Sequence, residues 1–356
     1  MIILHLIHSL SGGGAEKQLT YLAPALAQKG YDVHIVYVEE GPFKQHLPGV
    51  SLHKISVDSN YSPKLFFNIL KIIRNIRPDI IQTWILQMDI LGGLAASIAR
   101  IPWILREPSC CYLKNWKSYL RVLVASKAAA IVANSSGGYN YWQKKLRYVK
   151  KFIFRNGVPL NEIENISANM PAEFYELDDP IILYVGRLDI KQKRPDEFLK
   201  ILALTREKCR ARGILCGDGP NRKELENMSN DLGIKDYVKF VGFLPPQSLW
   251  ALMKKSSIFL SLSDYEGCPN SVIEAAACEC PLILSDIPSH RELFDDDCAF
   301  FVEKGDDKKV VETIENILNG NHKVKEKVIA AKKKIKYFSV ESMVEQFDKI
   351  YNIISR

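Results

Sequence analysis

Short apolar runs rich in β-branched residues alternate with helix-length segments along this chain, and the series starts twice. The first series runs through Ile2 to Ile7, Asp32 to Val38, Ile80 to Thr83, Trp103 to Leu105 and Ala130 to Ala133. The second begins at Ile181 to Val185 and continues through Arg212 to Cys216, Val238 to Val241, Ile258 to Leu262 and Pro281 to Leu284. Strands that alternate with helices form a parallel sheet covered by helices. A chain of 356 residues exceeds what one hydrophobic core usually organises, so the restart predicts two α/β domains. Between the series, Pro159 to Pro180 is polar, acidic and carries three prolines, the composition of a linker. The expected division is 1–165, 166–338 and a C-terminal helix over 339–356. That last segment places Met343, Phe347, Ile350, Tyr351 and Ile354 on one helical face, which predicts packing across a domain surface. The lysine-rich run Lys323 to Lys336 reads as a solvated helix face.

Composition narrows the class. Apolar residues at 47% and charged residues at 25% fit a soluble globular protein. The eight cysteines include the neighbours Cys110 and Cys111 and a C-x-C at Cys278 and Cys280, but no paired C-x-x-C of a zinc site. A reduced, cytoplasmic setting is the simpler expectation. The opening segment lacks the basic start and long apolar stretch of a secretory leader, and no uncharged apolar run reaches membrane-spanning length. The net charge of +7 is uneven: residues 1–165 hold 20 Lys and Arg against 10 Asp and Glu, and the remainder holds 28 against 31. Tyr141 to Phe152 interleaves aromatics with Lys144, Lys145, Arg147, Lys150 and Lys151. Two readings of it stand: a surface lying on anionic lipid headgroups, at the inner face of the cell membrane, or a solvated helix whose aromatics pack inward. Nucleic-acid binding is not expected, since no recognition motif accompanies the charge.

Three segments carry chemistry. The loop Ser11-Gly12-Gly13-Gly14-Ala15-Glu16 follows an apolar strand and opens a helix, so backbone amides there are able to approach a phosphate or sugar closely. It lacks the dinucleotide spacing, with Lys17 where a third glycine belongs, and a plain tight turn is the competing reading. The segment from Ser261 to Cys278 ends a strand, carries Glu266 on a loop, turns at Pro269 and Asn270 into a helix and sets Glu274 about one turn inside it. Amides near Asn270, Ser271 and Val272 suit a diphosphate, with Glu274 on ribose hydroxyls and Glu266 reaching a sugar. The alternative is a helix start with first-turn acids that favour its dipole. The run Val185 to Pro195 tips the balance, because Arg187 offers a planar fork and Lys193 a mobile charge at a strand's carboxyl end, where such sheets bind ligands.

Together with Arg155-Asn156-Gly157-Val158-Pro159, Gly217-Asp218-Gly219-Pro220 and Val241-Gly242-Phe243, these motifs resemble the retaining GT-B glycosyltransferases of family four, in order and over nearly the whole chain. The resemblance implies two Rossmann-like domains facing across a cleft, the first binding acceptor and the second a nucleotide-sugar donor, with the C-terminal helix crossing back to the first domain. It implies that Arg187 and Lys193 hold the diphosphate, Glu274 the ribose and backbone near Phe243 the base. Glu266 and the amides of Gly267 and Cys268 would contact the sugar, and Gly13 and Gly14 the donor phosphates. Transfer would keep the anomeric configuration, to a saccharide or lipid-linked acceptor; the base is not read from the motifs, and a uridine donor is a separate expectation. The stretch Gln82 to Asp89, followed by Leu91-Gly92-Gly93-Leu94, resembles a subgroup of cell-surface polysaccharide enzymes. One departure stands out. Many members place a histidine near Leu105-Arg106-Glu107-Pro108-Ser109, and this chain has none there; Arg106 or Glu107 are the polar groups on hand.

No cofactor and no metal are expected. Asp295-Asp296-Asp297 satisfies a D-x-D string but reads as an acidic surface turn, and Asn165-Ile166-Ser167 is an uninformative sequon. Two rival functions remain at this stage: a nucleotide-sugar epimerase or sugar phosphorylase on the same fold, and a silent binding subunit that recruits a partner to the membrane.

Overall fold

The computed structural model describes every residue except 60–61, 111–114, 167–178 and 356, and the side chain of His46. The chain divides into two compact units, Met1–Gly157 with Phe338–Arg356, and Val158–Tyr337. The division falls at Gly157, earlier than the expected 165. There Gln18 fixes the chain end of the first unit: its Nε2 donates to the Gly157 carbonyl at 2.9 Å and its Oε1 accepts from the Gly157 amide at 2.7 Å. The start of the expected linker is instead a helix of the second unit, Leu160–Glu164, with Ile163 buried. Residues 167–178 of that linker, Ser167 of the sequon and Cys111 lie outside the described residues.

In the first unit the sheet is parallel, in the order β3-β2-β1-β4-β5-β6-β7. The strands are β1 (Ile2–Leu6), β2 (Asp32–Tyr37), β3 (Ser51–Lys54), β4 (Ile80–Trp84), β5 (Trp103–Glu107), β6 (Ala130–Ala133) and β7 (Lys150–Ile153). The central strands are buried along nearly their whole length and are mostly apolar, because both of their faces are covered. One face packs on α1 (Gly14–Gln28) and the C-terminal helix α14 (Val340–Ile354), which contributes Met343, Val344, Phe347, Ile350 and Tyr351 to that core. The other face packs on α2 (Pro63–Ile76), α3 (Leu86–Ala99), α4 (Trp116–Ala125) and α5 (Ser136–Lys145). Local chemistry sets the ends of these helices. Ser62, Asn115, Ser135 and Ser339 each accept a backbone N–H in the first turn. At Gly92 and Gly93 an added Cβ would lie 2.4 Å from Leu6 and 2.7 Å from Trp103, so α3 lies close on its sheet only because these residues lack side chains.

The basic aromatic stretch is not one amphipathic surface. It begins in α5, turns, and ends in the edge strand β7. Trp142 is fully buried, and Tyr141 and Phe152 pack against the cores, leaving Tyr148 as the outward aromatic. The inward reading holds for those three rings.

The second unit holds β8 (Ile181–Val185), β9 (Arg212–Cys216), β10 (Val238–Gly242), β11 (Ile258–Ser261), β12 (Leu282–Ser285) and β13 (Phe300–Val302), in the parallel order β10-β9-β8-β11-β12-β13. Helices α7 (Pro195–Arg206), α8 (Arg222–Asp231), α9 (Pro246–Lys255), α10 (Asn270–Ala277) and α12 (Asp307–Leu318) connect and cover it, with the five-residue α6 (Leu160–Glu164) and the four-residue α11 (Pro288–Arg291) between them. Helix α13 (Lys323–Ile335) packs beside α10 and is not simply a solvated face: Lys332 pairs with Glu279 at 2.7 Å and Lys334 with Asp295 at 2.8 Å. No helix among the described residues is long and apolar enough to cross a membrane.

Candidate functional site

In the second unit the carboxyl ends of the strands converge through backbone hydrogen bonds. The Gly186 amide donates to Cys216, the Leu188 amide to Asp218, and the Gly217 amide to Gly242. Gly217 has φ +125° and its missing Cβ would lie 2.0 Å from the Gly186 carbonyl, so a side chain is excluded on both counts. Three motifs that are scattered in sequence, at Gly186-Arg187, Gly217-Asp218-Gly219 and Gly242-Phe243, thereby form one rim. Tyr184 Oη donates to the Arg187 carbonyl at 2.8 Å and steadies that turn; burial, with Glu266 as the largest charge, holds its phenol well above the ordinary tyrosine range. Arg187 itself is exposed, and its guanidinium has no hydrogen-bond or ion-pair partner among the described residues. Phe243 is exposed as well.

Lys193 and Glu266 meet. The ammonium donates to Glu266 Oε1, which also accepts from Ser263 Oγ at 2.9 Å. Two further bonds lock the loops that carry them, from the Asp264 amide to the Gln192 carbonyl at 2.9 Å and from Gln192 Nε2 to the Tyr265 carbonyl at 3.2 Å. Glu266 is 7% exposed, so its charge is compensated by a specific partner and not by solvent. Gly267 follows it half-buried and Cys268 buried, and the chain enters α10 through Pro269. Asn270, Ser271 and Val272 form the first turn with no side-chain cap; the Val272 side chain faces the core, so its backbone alone is available to a ligand. Glu274 is 2% exposed and accepts from Trp250 Nε1 at 3.3 Å.

Behind this site lies a chain of groups with no counterpart among the sequence motifs. Ser285 Oγ donates to the Ser263 carbonyl at 2.7 Å, and His290 Nδ1 lies 2.9 Å from the Ser285 carbonyl. A carbonyl only accepts, so Nδ1 carries the proton and Nε2 is a bare acceptor. That Nε2 is buried and without a partner among the described residues. Burial lowers the His290 pKa, and Glu266 and Lys193 are near enough for their charges to act on it. The one sign in the sequence was a histidine shortly after a strand's carboxyl end, in Ser285-Asp286-Ile287-Pro288-Ser289-His290.

In the first unit, Gly13 caps α1 and Gly14 begins it. The space where a Gly13 side chain would stand is filled by Glu16, whose Oε2 lies 2.2 Å from an added Cβ. The Glu16 carboxyl is buried, which raises its pKa. The anion nearest this helix start is thus the chain's own. At the missing-histidine position neither polar candidate is available to a ligand. Arg106 turns into the core, donating to the Phe154 carbonyl at 2.9 Å and to Asn156 Oδ1 at 3.2 Å. Glu107 is fully buried and accepts from Arg121 at 2.7 Å, Trp142 Nε1 at 2.9 Å and the Ser109 amide at 2.9 Å. Arg121 also binds Asp89, which accepts from Thr83 Oγ1 at 2.5 Å. Ahead of α3, Ile85 holds φ 71° and ψ 150°, a strained conformation for a β-branched residue at a strand's carboxyl end. The acidic string at 295–297 is charge-paired, with Asp295 on Lys334 and Asp296 on Arg291, each at 2.8 Å.

Comparison with known proteins gives the family. Residues 166–335 match the model of glycosyl transferases group 1, and residues 12–162 match glycosyltransferase family 4. The GalNAc-alpha-(1->4)-GalNAc-alpha-(1->3)-diNAcBac-PP-undecaprenol alpha-1,4-N-acetyl-D-galactosaminyltransferase of Campylobacter jejuni is 28% identical over 98% of both chains. The N-acetylgalactosamine-N,N'-diacetylbacillosaminyl-diphospho-undecaprenol 4-alpha-N-acetylgalactosaminyltransferase of the same organism is 27% identical over 88% of both. Among solved structures, Anabaena HepE in complex with UDP and glucose has a TM-score of 0.86 at 20% identity over 99% of each chain, which speaks to the fold. With the two family models spanning nearly its whole length between them, the chain belongs to the family-four glycosyltransferases of GT-B type.

Proposed function

We propose that this glycosyltransferase moves a sugar, with retention, from a uridine diphosphate sugar to a lipid-linked saccharide in the synthesis of a cell-surface glycan, while lying peripherally on the inner face of the membrane. The observation that carries the donor side is the Lys193–Glu266 pair at the carboxyl edge of the second sheet, beside the uncapped first turn of α10. Arg187 and Lys193 take the diphosphate, together with the amides of Asn270, Ser271 and Val272. Glu274, oriented by Trp250, chelates the ribose hydroxyls. The exposed Phe243 turn faces the base, and Glu266 with the amides of Gly267 and Cys268 holds the sugar. The loop at Gly13 and Gly14 is a second phosphate-facing element, provided that Glu16 yields its place. The bond from the anomeric carbon to the diphosphate oxygen breaks with its electron pair going to that oxygen. The acceptor hydroxyl bonds to the same face, and its proton passes to the departing phosphate. Fixed cations aimed at the leaving group stabilise that charge.

The uridine donor is supported by the UDP held by a structural neighbour, and the lipid-linked acceptor by the undecaprenol diphosphates in the names of the two Campylobacter relatives. A thermal-shift screen against UDP, GDP, ADP and TDP and their sugar conjugates, with and without magnesium, tests the donor. A ligand at 100 times its Kd stabilises by about 2.7 kcal/mol. A shift selective for uridine, with released UDP and a new glycoside in a transfer assay, is expected. An epimerised nucleotide sugar with no glycoside formed would overturn the reading, as would a shift from no nucleotide at all.

A further inference from the structure

The outer face of the α2–α3–α4 layer is exposed, apolar and basic, and the geometry points to it as the surface on which this protein lies against anionic lipid. Helix α4 turns Trp116, Tyr119 and Leu123 outward at 67%, 65% and 69% exposure. These positions form a single helical stripe. Neighbouring α3 adds Leu94 and Ile98, and α2, packed on α3, adds Phe67. All three helices bury their opposite sides in the same core, so the six side chains share one layer's solvent side. Scattered exposed apolar residues are ordinary, but a cluster of large ones on adjoining helices marks an interaction surface.

Charge identifies what meets it. Lys64, Lys71, Arg74, Arg77, Arg100 and Lys127 are exposed on or next to these helices. From Pro63 to Lys127 the carboxylates are Asp79, Asp89 and Glu107, and the last two are fully buried in the Arg121 network. The layer therefore shows water many cations and one acid. A second copy of this chain would bring cations against cations. Bases of a nucleic acid have no use for the aliphatic Leu94, Ile98 and Leu123. An anionic bilayer satisfies both halves of the pattern: headgroups pair with the cations, and Trp, Tyr, Phe and aliphatic side chains enter the boundary beneath them. This deepens the peripheral-membrane part of the proposed function and moves its location from Tyr141–Phe152, where Trp142 points inward, to the neighbouring helices.

The test uses the full chain and vesicles, with no donor or acceptor present, so that its outcome is independent of any transfer assay. Protein is sedimented with phosphatidylglycerol–phosphatidylethanolamine vesicles and, separately, with pure phosphatidylcholine, at low and high salt. Trp84, Trp103, Trp142 and Trp250 are at most 1% exposed, so a blue shift of the intrinsic fluorescence reports on Trp116. Expected are salt-sensitive binding to the anionic vesicles and a blue shift that Trp116→Phe abolishes. Binding should be about tenfold weaker or worse in Trp116→Ala/Tyr119→Ala/Leu123→Ala, and similarly weakened in Lys71→Glu/Arg74→Glu. These side chains are exposed, and an unchanged melting temperature verifies that the variants fold. Absence of binding, or equal binding by the wild type and the triple variant, would overturn the inference. Self-association of the wild type that the triple variant loses would also overturn it, and would assign the face to a second copy.

Discussion

The Lys193 ammonium is hydrogen-bonded to the Glu266 carboxylate across 73 residues of sequence, in a loop pair that the backbone bond from Asp264 to Gln192 holds together. A cation held by one carboxylate is poised but not committed, because a diphosphate brings more charge than Glu266 and is able to draw it away. Lys193→Ala should lower kcat at saturating donor by roughly 100-fold or more, the scale of losing one preorganised contact to a developing anion. Normal turnover in this variant, with its fold verified by circular dichroism, would remove Lys193 from the chemistry.

His290 offers a sharper separation of stability from activity. Replacing it with Phe deletes the bond to Ser285 but also deletes a buried acceptor that has no partner among the described residues. A hydrogen bond contributes about 1 kcal/mol and a buried orphan costs about 1 to 3 kcal/mol, so the two effects largely offset. His290→Phe should thus unfold in urea within about 1 kcal/mol of the wild type. Its kcat should nevertheless fall, since Ser285 and Ser263 lose the group that orients them beneath Glu266. A large stability loss with unchanged kcat would show His290 to be a packing residue.

What the sequence disclosed and what it hid have the same physical origin. Strands buried on both faces, such as Ala130–Ala133 and Ile181–Val185, are visible as apolar runs. The edge strands Ser51–Lys54 and Lys150–Ile153 escaped because their polar residues and lysines leave no such run, and Phe300–Val302 escaped because its apolar run is only three residues long. Glu266, Glu274, Arg187 and Lys193 were legible as candidates because charged residues at strand ends and helix starts have a local reason to be there. Ser263, Ser285, Trp250 and His290 were not, since their role exists only once β11 and β12 lie side by side. Helix α4 shows the limit of periodicity: Trp116, Tyr119 and Leu123 look like a core stripe, yet the inward side is Arg121, Val124 and Ala125. Two buried carboxylates draw Arg121 inward and turn the apolar stripe out.

The C-terminal helix is part of the first unit's core and not an appendage. Phe347 is fully buried, meets Phe154 edge-on at 5.1 Å between centroids and lies under the Arg106 guanidinium at 5.5 Å. Tyr351 donates to Gln82 Oε1 at 2.5 Å. Phe347→Ala should destabilise the first unit by about 3 to 5 kcal/mol in urea unfolding, the usual cost of emptying a buried aromatic site. A chain ending at residue 338 should fail to give a folded first unit at all. Native-like unfolding of that truncation would show the helix to be dispensable.

Acid stability of the first unit should turn on His5. Full burial lowers its pKa from 6.5 to about 3, so the folded protein refuses a proton that the unfolded chain accepts. Stability from this source is whole above about pH 6.5 and is lost as pH falls toward 3, by about 1.4 kcal/mol per unit inside that window. Asp89 opposes it. Burial raises that carboxyl from 3.8 to about 6 against the pull of Arg121, so its contribution is whole below 3.8 and is lost as pH rises through 6. The wild type therefore shows a muted slope where the two windows overlap. His5→Phe removes one side of the balance. It also leaves the Trp84 indole N–H, now 3.3 Å from His5 Nδ1, without its acceptor, and it deletes the buried His5 Nε2, which has no partner among the described residues; these two effects oppose each other and do not vary with pH. Whatever the offset between the two proteins near pH 7, the variant should gain on the wild type as pH falls, by up to about 1.4 kcal/mol per unit between roughly pH 6 and pH 4. Urea unfolding of both proteins across that range measures the difference directly, and a difference that stays constant would mean that His5 does not titrate between the folded and unfolded states as its burial requires.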